Sequence, residues 1–294
     1  MSAFVDLTDY WKSEQAENSH IGQEKLNIIA MLHTNDVVAN ALNRKHKKKD
    51  DQLKSISMFF FTHGNELLSG IYFNCKYGFG TSSLVLCRAL LEGLIEFSYL
   101  YFCKRINKDD KERSGWLQYR AITKLSMHNQ YTEFKKSNAD LGFYRSDELF
   151  DSEVISALEG HADDFKKTFF KHSKTYSWAR EPTLVKRARA VDKIRVFESD
   201  FHKKLSLEEE YIIMYKHSSE LVHGQSGSTL SYAHDDGDST MNFGPSNNNI
   251  YMSVGASCNY MLVYLYLFNK VHHLNIDIMG QLKHSGFVGV KGEN

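Results

Sequence analysis

An all-α, multi-helix bundle is what the sequence predicts, and three observations carry that expectation. Only two prolines, Pro182 and Pro245, occur in 294 residues, so the chain rarely surrenders the backbone N–H that a helix needs. Apolar residues recur at helical spacing through long segments. Hydrophobic residues make up 42% and aromatics 13%, which at this length suffices to bury a core without disulfide or metal staples. One domain of about seven or eight helices over residues 1–294 is expected, with a polar connection at about 224–249.

Residues 18–43 place Ile21, Leu26, Ile29, Leu32, Val37 and Leu42 mostly three to five apart, as an amphipathic helix does. The run Arg44-Lys45-His46-Lys47-Lys48-Lys49 closes it. Cations there complement a helix C-terminus, or form a patch for nucleic acid. A second helix from Asp51 to about Cys75 carries Ile56, Phe59, Phe60, Leu67, Leu68 and Ile71. Tyr77-Gly-Phe-Gly80 reads as a turn, with Thr81 or Ser82 as N-cap of the next helix. From there to Phe102 the chain is apolar nearly all round, the mark of a central buried helix. Arg88, Glu92 and Glu96 interrupt it at four-residue spacing and form one narrow stripe. That stripe is either a solvated edge or a buried Arg–Glu pair lining an internal polar site, since an unpaired buried charge is costly.

Residues 110–136 read as one more helix, with Trp116, Leu117, Tyr119, Ile122 and Leu125. Charge then segregates: residues 146–164 hold seven acids and no Lys or Arg, while residues 166–204 hold twelve Lys+Arg against four acids. The balance of 36 Lys+Arg against 36 Asp+Glu therefore hides a basic segment. It either pairs with the acidic block or attracts phosphate. A helix from Ser206 to about Gly224 follows, then the polar connection, and a final core helix runs from Ile250 to about His273. The Tyr251–Phe268 stretch carries Ser253, Ser257 and Asn259, so a buried core helix explains it better than a membrane span. No membrane association is expected. With no signal-peptide pattern in Met1–Tyr10, a cytoplasmic location is expected.

Several chemistries lack their motifs. There is no Walker loop, no third glycine beside Gly78-Phe79-Gly80, no H-E-x-x-H helix, and Gly224-Gln225-Ser226-Gly227 is not a nucleophile elbow. Cys75, Cys87, Cys103 and Cys258 lie far apart without C-x-x-C pairing, which reads as reduced, buried thiols. His272 and His273 are adjacent, about 100° apart on a helix, so they cannot share one metal. His234-Asp235-Asp236-Gly237-Asp238 lacks the order of a calcium loop. Neither a metal nor a cofactor is expected.

One constellation remains, within Tyr211-Ile-Ile-Met-Tyr215-Lys216-His217-Ser218-Ser219-Glu220-Leu221-Val222-His223. On a helix Lys216 and His223 lie about 20° apart, two turns along one face. Glu220 falls between them, and Ser219 lies four before His223. A cation, a carboxylate, a hydroxyl and an imidazole thus share one stripe. Imidazole passes protons near neutrality, and the cation can stabilise a phosphorane-like charge. The set suits attack of an RNA 2′-hydroxyl on its own phosphate, but spacing alone favours the plainer alternative, a helix-terminal ion pair with a capping histidine.

The order Arg88-Ala-Leu-Leu-Glu92, then Trp178, then Tyr211-x3-Tyr215-x2-Ser218-x4-His223 resembles an all-helical bacterial family over roughly residues 52–270. Its architecture and C-terminal motif are similar to the HEPN superfamily. That resemblance implies a metal-independent endoribonuclease, a toxin or anti-phage effector, working as a homodimer whose Arg-x4-6-His motifs meet at the interface. It implies RNA as substrate and a protein partner of a defence operon. His223 matches the catalytic histidine; Lys216 stands at the arginine position, followed by His217, with Ser219 and Glu220 in support. Lysine keeps the charge but lacks the planar fork that grips phosphate. Arg88, Glu92, Tyr215 and Trp178 are the expected binding residues. The competing expectation is a non-catalytic helical module that binds a protein or nucleotide partner through the Arg88–Glu92 stripe.

Overall fold

The computed structural model describes residues 22–45, 51–138, 150–172, 175–194, 205–223 and 248–287. Helices dominate it. In chain order they are α1 (Gly22–Lys45), α2 (Gln52–Lys76), α3 (Gly80–Asn107), α4 (Lys111–Gln118), α5 (Arg120–Ser137), α6 (Ser152–Thr168), α7 (Leu184–Asp192), α8 (Leu207–Glu210), α9 (Lys216–His223), α10 (Ile250–His272) and α11 (Ile278–His284). A wider π-type turn, Tyr211–Tyr215, joins α8 to α9. The chain is all-α, with one short antiparallel hairpin among the described residues, β1 (Phe170–His172) and β2 (Thr175–Ser177), in register Phe170 to Ser177. Two compact units are present: Met1–Tyr101 with Ala188–Asn294, and Phe102–Arg187.

Helix starts follow side-chain chemistry. Asp51, Asp151, Ser206 and Asp277 each accept a bond from a backbone N–H two or three residues on, satisfying an otherwise orphaned donor. The cap expected at Thr81 or Ser82 is different. The helix begins at Gly80, where a Cβ would lie 2.2 Å from the Asn248 carbonyl oxygen. Close backbone approach sets that start, and Thr81 instead accepts a bond from Asn249 Nδ2 at 3.1 Å.

In the first unit α10 packs against α1 and α2 and is tied to α3 by hydrogen bonds. The Tyr264 hydroxyl donates to the Leu90 carbonyl at 3.1 Å, the Ser253 hydroxyl to the Gly80 carbonyl at 3.1 Å, and the Cys87 thiol to the Ser253 carbonyl at 3.3 Å. Gly93 is what lets Tyr264 in: a Cβ there would lie 2.4 Å from its hydroxyl. Phe60 stacks on Phe97 and Phe61 on Phe268, with centroids 5.5 and 4.2 Å apart. Ile250–His272 is long and apolar enough to cross a membrane, yet 67% of its most apolar window is already buried in protein. The sequence expectation of a central helix at Thr81–Phe102 and a core helix from Ile250 holds.

The second unit departs further from expectation. The single helix expected over residues 110–136 is two, broken at Tyr119, whose hydroxyl donates to the Tyr176 carbonyl at 3.4 Å. Gly115 lies under the Trp178 carbonyl, where a Cβ would approach to 2.8 Å. The acidic and basic blocks do pair, but locally: Lys166 with Asp163 at 3.0 Å and Lys167 with Asp164 at 3.6 Å, both on α6. Other cations of the basic segment lie over aromatic rings, Lys171 over Tyr176 and Arg187 over Trp178. The run His46–Lys49, the polar connection 224–247 and its His234–Asp238 cluster lie outside the described residues.

Candidate functional site

The π-type turn is the local departure that organises the site. The sequence predicts one uninterrupted helix from Ser206 to Gly224, but the five residues Tyr211–Tyr215 form a wider turn with i→i+5 bonding. Residues four apart in an α-helix are offset by about 40°; the wider turn advances less per residue and brings Tyr211 and Tyr215 nearer to alignment. Their rings stack at 4.5 Å with an interplanar angle of 17°.

Both ends of the turn are pinned from neighbouring helices. At its start the buried Tyr260 hydroxyl of α10 donates to Glu210 Oε2 at 2.5 Å. At its end Arg88 of α3 donates from Nη2 to the Tyr215 hydroxyl at 3.1 Å, with its guanidinium carbon 4.4 Å from the Tyr215 ring centroid. Arg88 Nε also donates to Glu92 Oε1 at 3.0 Å. The two side chains are 18% and 41% exposed, so the pair is neither a solvated edge nor a fully buried bridge. Partial burial works against the Arg88 charge, but the bonds to Tyr215 and Glu92 outweigh it and hold the guanidinium above its ordinary pKa. Burial pushes the Tyr211 hydroxyl up.

Three expected binding residues, Arg88, Glu92 and Tyr215, therefore meet. The fourth, Trp178, lies in the second unit, buried, with the Arg187 guanidinium 4.7 Å from its ring centroid. Of the proposed chemical set, Lys216 is exposed, while His217, Ser219 and Glu220 are half-buried. Among the described residues none of these four has a hydrogen-bond or ion-pair partner. His223 ends α9, in regular helix with Lys216, which keeps the two positions about 20° apart around the axis; its side chain lies outside the described residues. Ser218 is fully buried beside Met214 and Leu221, and its hydroxyl has no partner among the described residues. A buried orphan hydroxyl costs about 1–3 kcal/mol.

Sequence reasoning missed a second charged cluster. Glu112 in α4 is fully buried; its Oε1 accepts from Asn107 Nδ2 at 2.7 Å and lies 3.8 Å from Arg180 Nη1. Arg180 also reaches Asp109 at 2.6 Å and the Asn107 carbonyl at 3.1 Å. Burial raises the Glu112 pKa. The only signal was the run Asp109-Asp110-Lys111-Glu112-Arg113, which reads as a solvated helix start. All four cysteines are buried free thiols, and burial pushes Cys75 and Cys103 to about 11 and Cys258 to about 12. His272 Nε2 lies 2.8 Å from the Ser57 hydroxyl, with its ring against Phe268.

No curated protein and no solved structure matches the chain. A family alignment does match residues 54–240, a span that contains every candidate residue from Arg88 to His223 and stops short of α10. The chain belongs to that family, DUF5677, a family of unknown function.

Proposed function

We propose that the protein is an HEPN-like, metal-independent endoribonuclease, an effector of a bacterial toxin or defence system that acts as a cytoplasmic homodimer. The observation that supports this most is the pinning of the turn ahead of α9 by Arg88 and Tyr260. Lys216, His217, Ser219 and Glu220 on that helix have no hydrogen-bond or ion-pair partner among the described residues. A helix held from behind is what positioning a substrate requires. In this reading His223 takes the proton of the RNA 2′-hydroxyl as that oxygen attacks phosphorus. The bond to the 5′-oxygen breaks, the leaving oxygen is protonated, and a 2′,3′-cyclic phosphate remains. Lys216 stabilises the charge that builds on the phosphate oxygens. His217, Ser219 and Glu220 support these two, and Arg88, Glu92 and Tyr215 act as positioning residues.

The test is incubation of the purified chain with total and transfer RNA in EDTA, beside His223→Ala. Cleavage that survives EDTA and vanishes in the variant is expected; intact RNA in both samples would overturn the proposal. A second reading, a non-catalytic helical module, is favoured by the exposed Ile212, Ile213 and Val222 beside the same residues. Under it His223→Ala is silent, and Arg88→Ala removes binding of a partner.

A further inference from the structure

Helices α5 and α6 of the second unit pack on each other and keep little else from solvent. α5 runs for 18 residues and buries one, Ala121; α6 runs for 17 and buries two, Ala162 and Phe165. Helices in proteins draw most of their stability from packing an apolar face, yet these two hold apolar side chains outside: Met127 is 42% exposed, Phe134 50% and Val154 42%. Their placement is regular. Arg120, Lys124, Met127, Tyr131 and Phe134 follow one another at intervals of four and three, the spacing of a seam that meets another helix. On α6, Val154, Ala157, His161 and Asp164 follow at three and four, and all four are exposed. Beside that row a Cβ built at Gly160 would meet nothing within 4 Å, so this side of α6 is open.

Charge and size say what fits there. α5 carries four cations, Arg120, Lys124, Lys135 and Lys136, against the single acid Glu133. α6 with its cap carries five acids, Asp151, Glu153, Glu159, Asp163 and Asp164, against Lys166 and Lys167. Arg120 and Lys136 on the one helix, and Glu153 and Glu159 on the other, are exposed and have no ion-pair partner among the described residues. The row on α5 is bulky, whereas Ala157 and Gly160 leave the row on α6 low. A bulky basic helix and a low acidic one on the same chain are the two halves of an isologous contact, in which each helix of one copy meets the other helix of the second. We infer that the α5–α6 pair is a docking surface for a second copy of this chain, the basic helix of each copy lying on the acidic helix of the other as in a four-helix bundle. Met127 and Phe134 enter the room that Ala157 and Gly160 leave, and the opposed charges fix which helix meets which. The inference goes beyond the nuclease reading and needs neither RNA nor cleavage; it adds a contact surface to the homodimer named there.

The test is sedimentation equilibrium of the full chain at concentrations up to about 100 µM, with each variant checked by circular dichroism for the parent's helix content. Arg120→Glu with Lys136→Glu is expected to weaken self-association about tenfold or more, and so is Glu153→Lys with Glu159→Lys. Mixed in equal amounts, the two reversed chains are expected to pair with each other within about threefold of the parent's affinity, since each then meets the charge it lacks. Phe134→Glu is expected to give a folded monomer. A parent that stays monomeric over the whole range overturns the inference without any variant. So does a dimer that both reversals and Phe134→Glu leave untouched, and so do reversed chains that stay apart when mixed. A monomeric parent that binds single-stranded RNA, and loses it with Arg120→Glu and Lys136→Glu, overturns it in favour of a nucleic-acid stripe on α5. The two proposals fail separately. Pairing restored by mixing, with no RNA cleavage by the parent, removes the nuclease and keeps this surface. Cleavage by a dimer indifferent to all these changes removes this surface and keeps the nuclease.

Discussion

Two clusters in this molecule are built from the same parts, an arginine, a carboxylate and an aromatic ring, and their carboxylates Glu112 and Glu92 are buried to different depths. Around Arg180, Glu112 is wholly buried and the guanidinium is committed to Asp109, to the Asn107 carbonyl and to the face of Phe170. Around Arg88, the carboxylate of Glu92 is 41% exposed, and the guanidinium holds the turn that leads into α9. Burial depth separates what the two can do. A buried cluster whose removal strands a carboxyl sets stability, whereas a part-exposed one contributes little stability and can instead fix where a neighbouring helix begins.

The largest stability effect should come from Arg180→Ala. It removes three polar contacts and a ring face at once, and a loss of about 2–3 kcal/mol is expected from chemical denaturation. Arg88→Ala should cost less, about 1 kcal/mol, because the lost cation–π contact and exposed ion pair are each small. Its effect on RNA cleavage should be the larger one, a loss of tenfold or more in rate with the melting temperature nearly kept.

Glu112→Gln should sharpen the contrast through pH. Because burial raises the folded-state pKa of Glu112, its contribution is fully present below the ordinary glutamate range. It is lost as pH rises from there through the raised value, as the unfolded chain ionises more readily. The glutamine variant lacks that decline, so its melting temperature should match the parent in acid and exceed it near neutrality; parallel curves would contradict the assignment. Glu92→Gln should be the mildest change, within about 0.5 kcal/mol, and 1 M salt should erase most of that difference.

Much of the helical framework was legible in the sequence. The apolar run of α3 and that of α10 mark themselves as buried helices, and Arg88 with Glu92 reads as an i, i+4 pair. What no local pattern could reveal is the partner of that pair, since Tyr215 lies 127 residues away. The π-type turn was equally hidden: Tyr211-Ile-Ile-Met-Tyr215 has ordinary helical composition, and contacts from Tyr260 and Arg88 hold the wider turn. The break at Tyr119 escaped for a similar reason, because Gly115 owes its place to Trp178 from a distant segment. Glu112 was illegible because a charged run gives no sign of which of its members is buried. The stripe on α9 was legible as spacing, but spacing alone does not separate a capped helix end from a working site.

The most direct measurement compares single-turnover RNA cleavage in EDTA for the parent, Arg88→Ala and Arg180→Ala, each well below its own melting temperature. If the Arg88 cluster positions the helix that works and the Arg180 cluster only stabilises, Arg88→Ala cleaves at least tenfold more slowly while Arg180→Ala cleaves like the parent. Cleavage that is lost in Arg180→Ala and kept in Arg88→Ala, or absent from the parent, would contradict it.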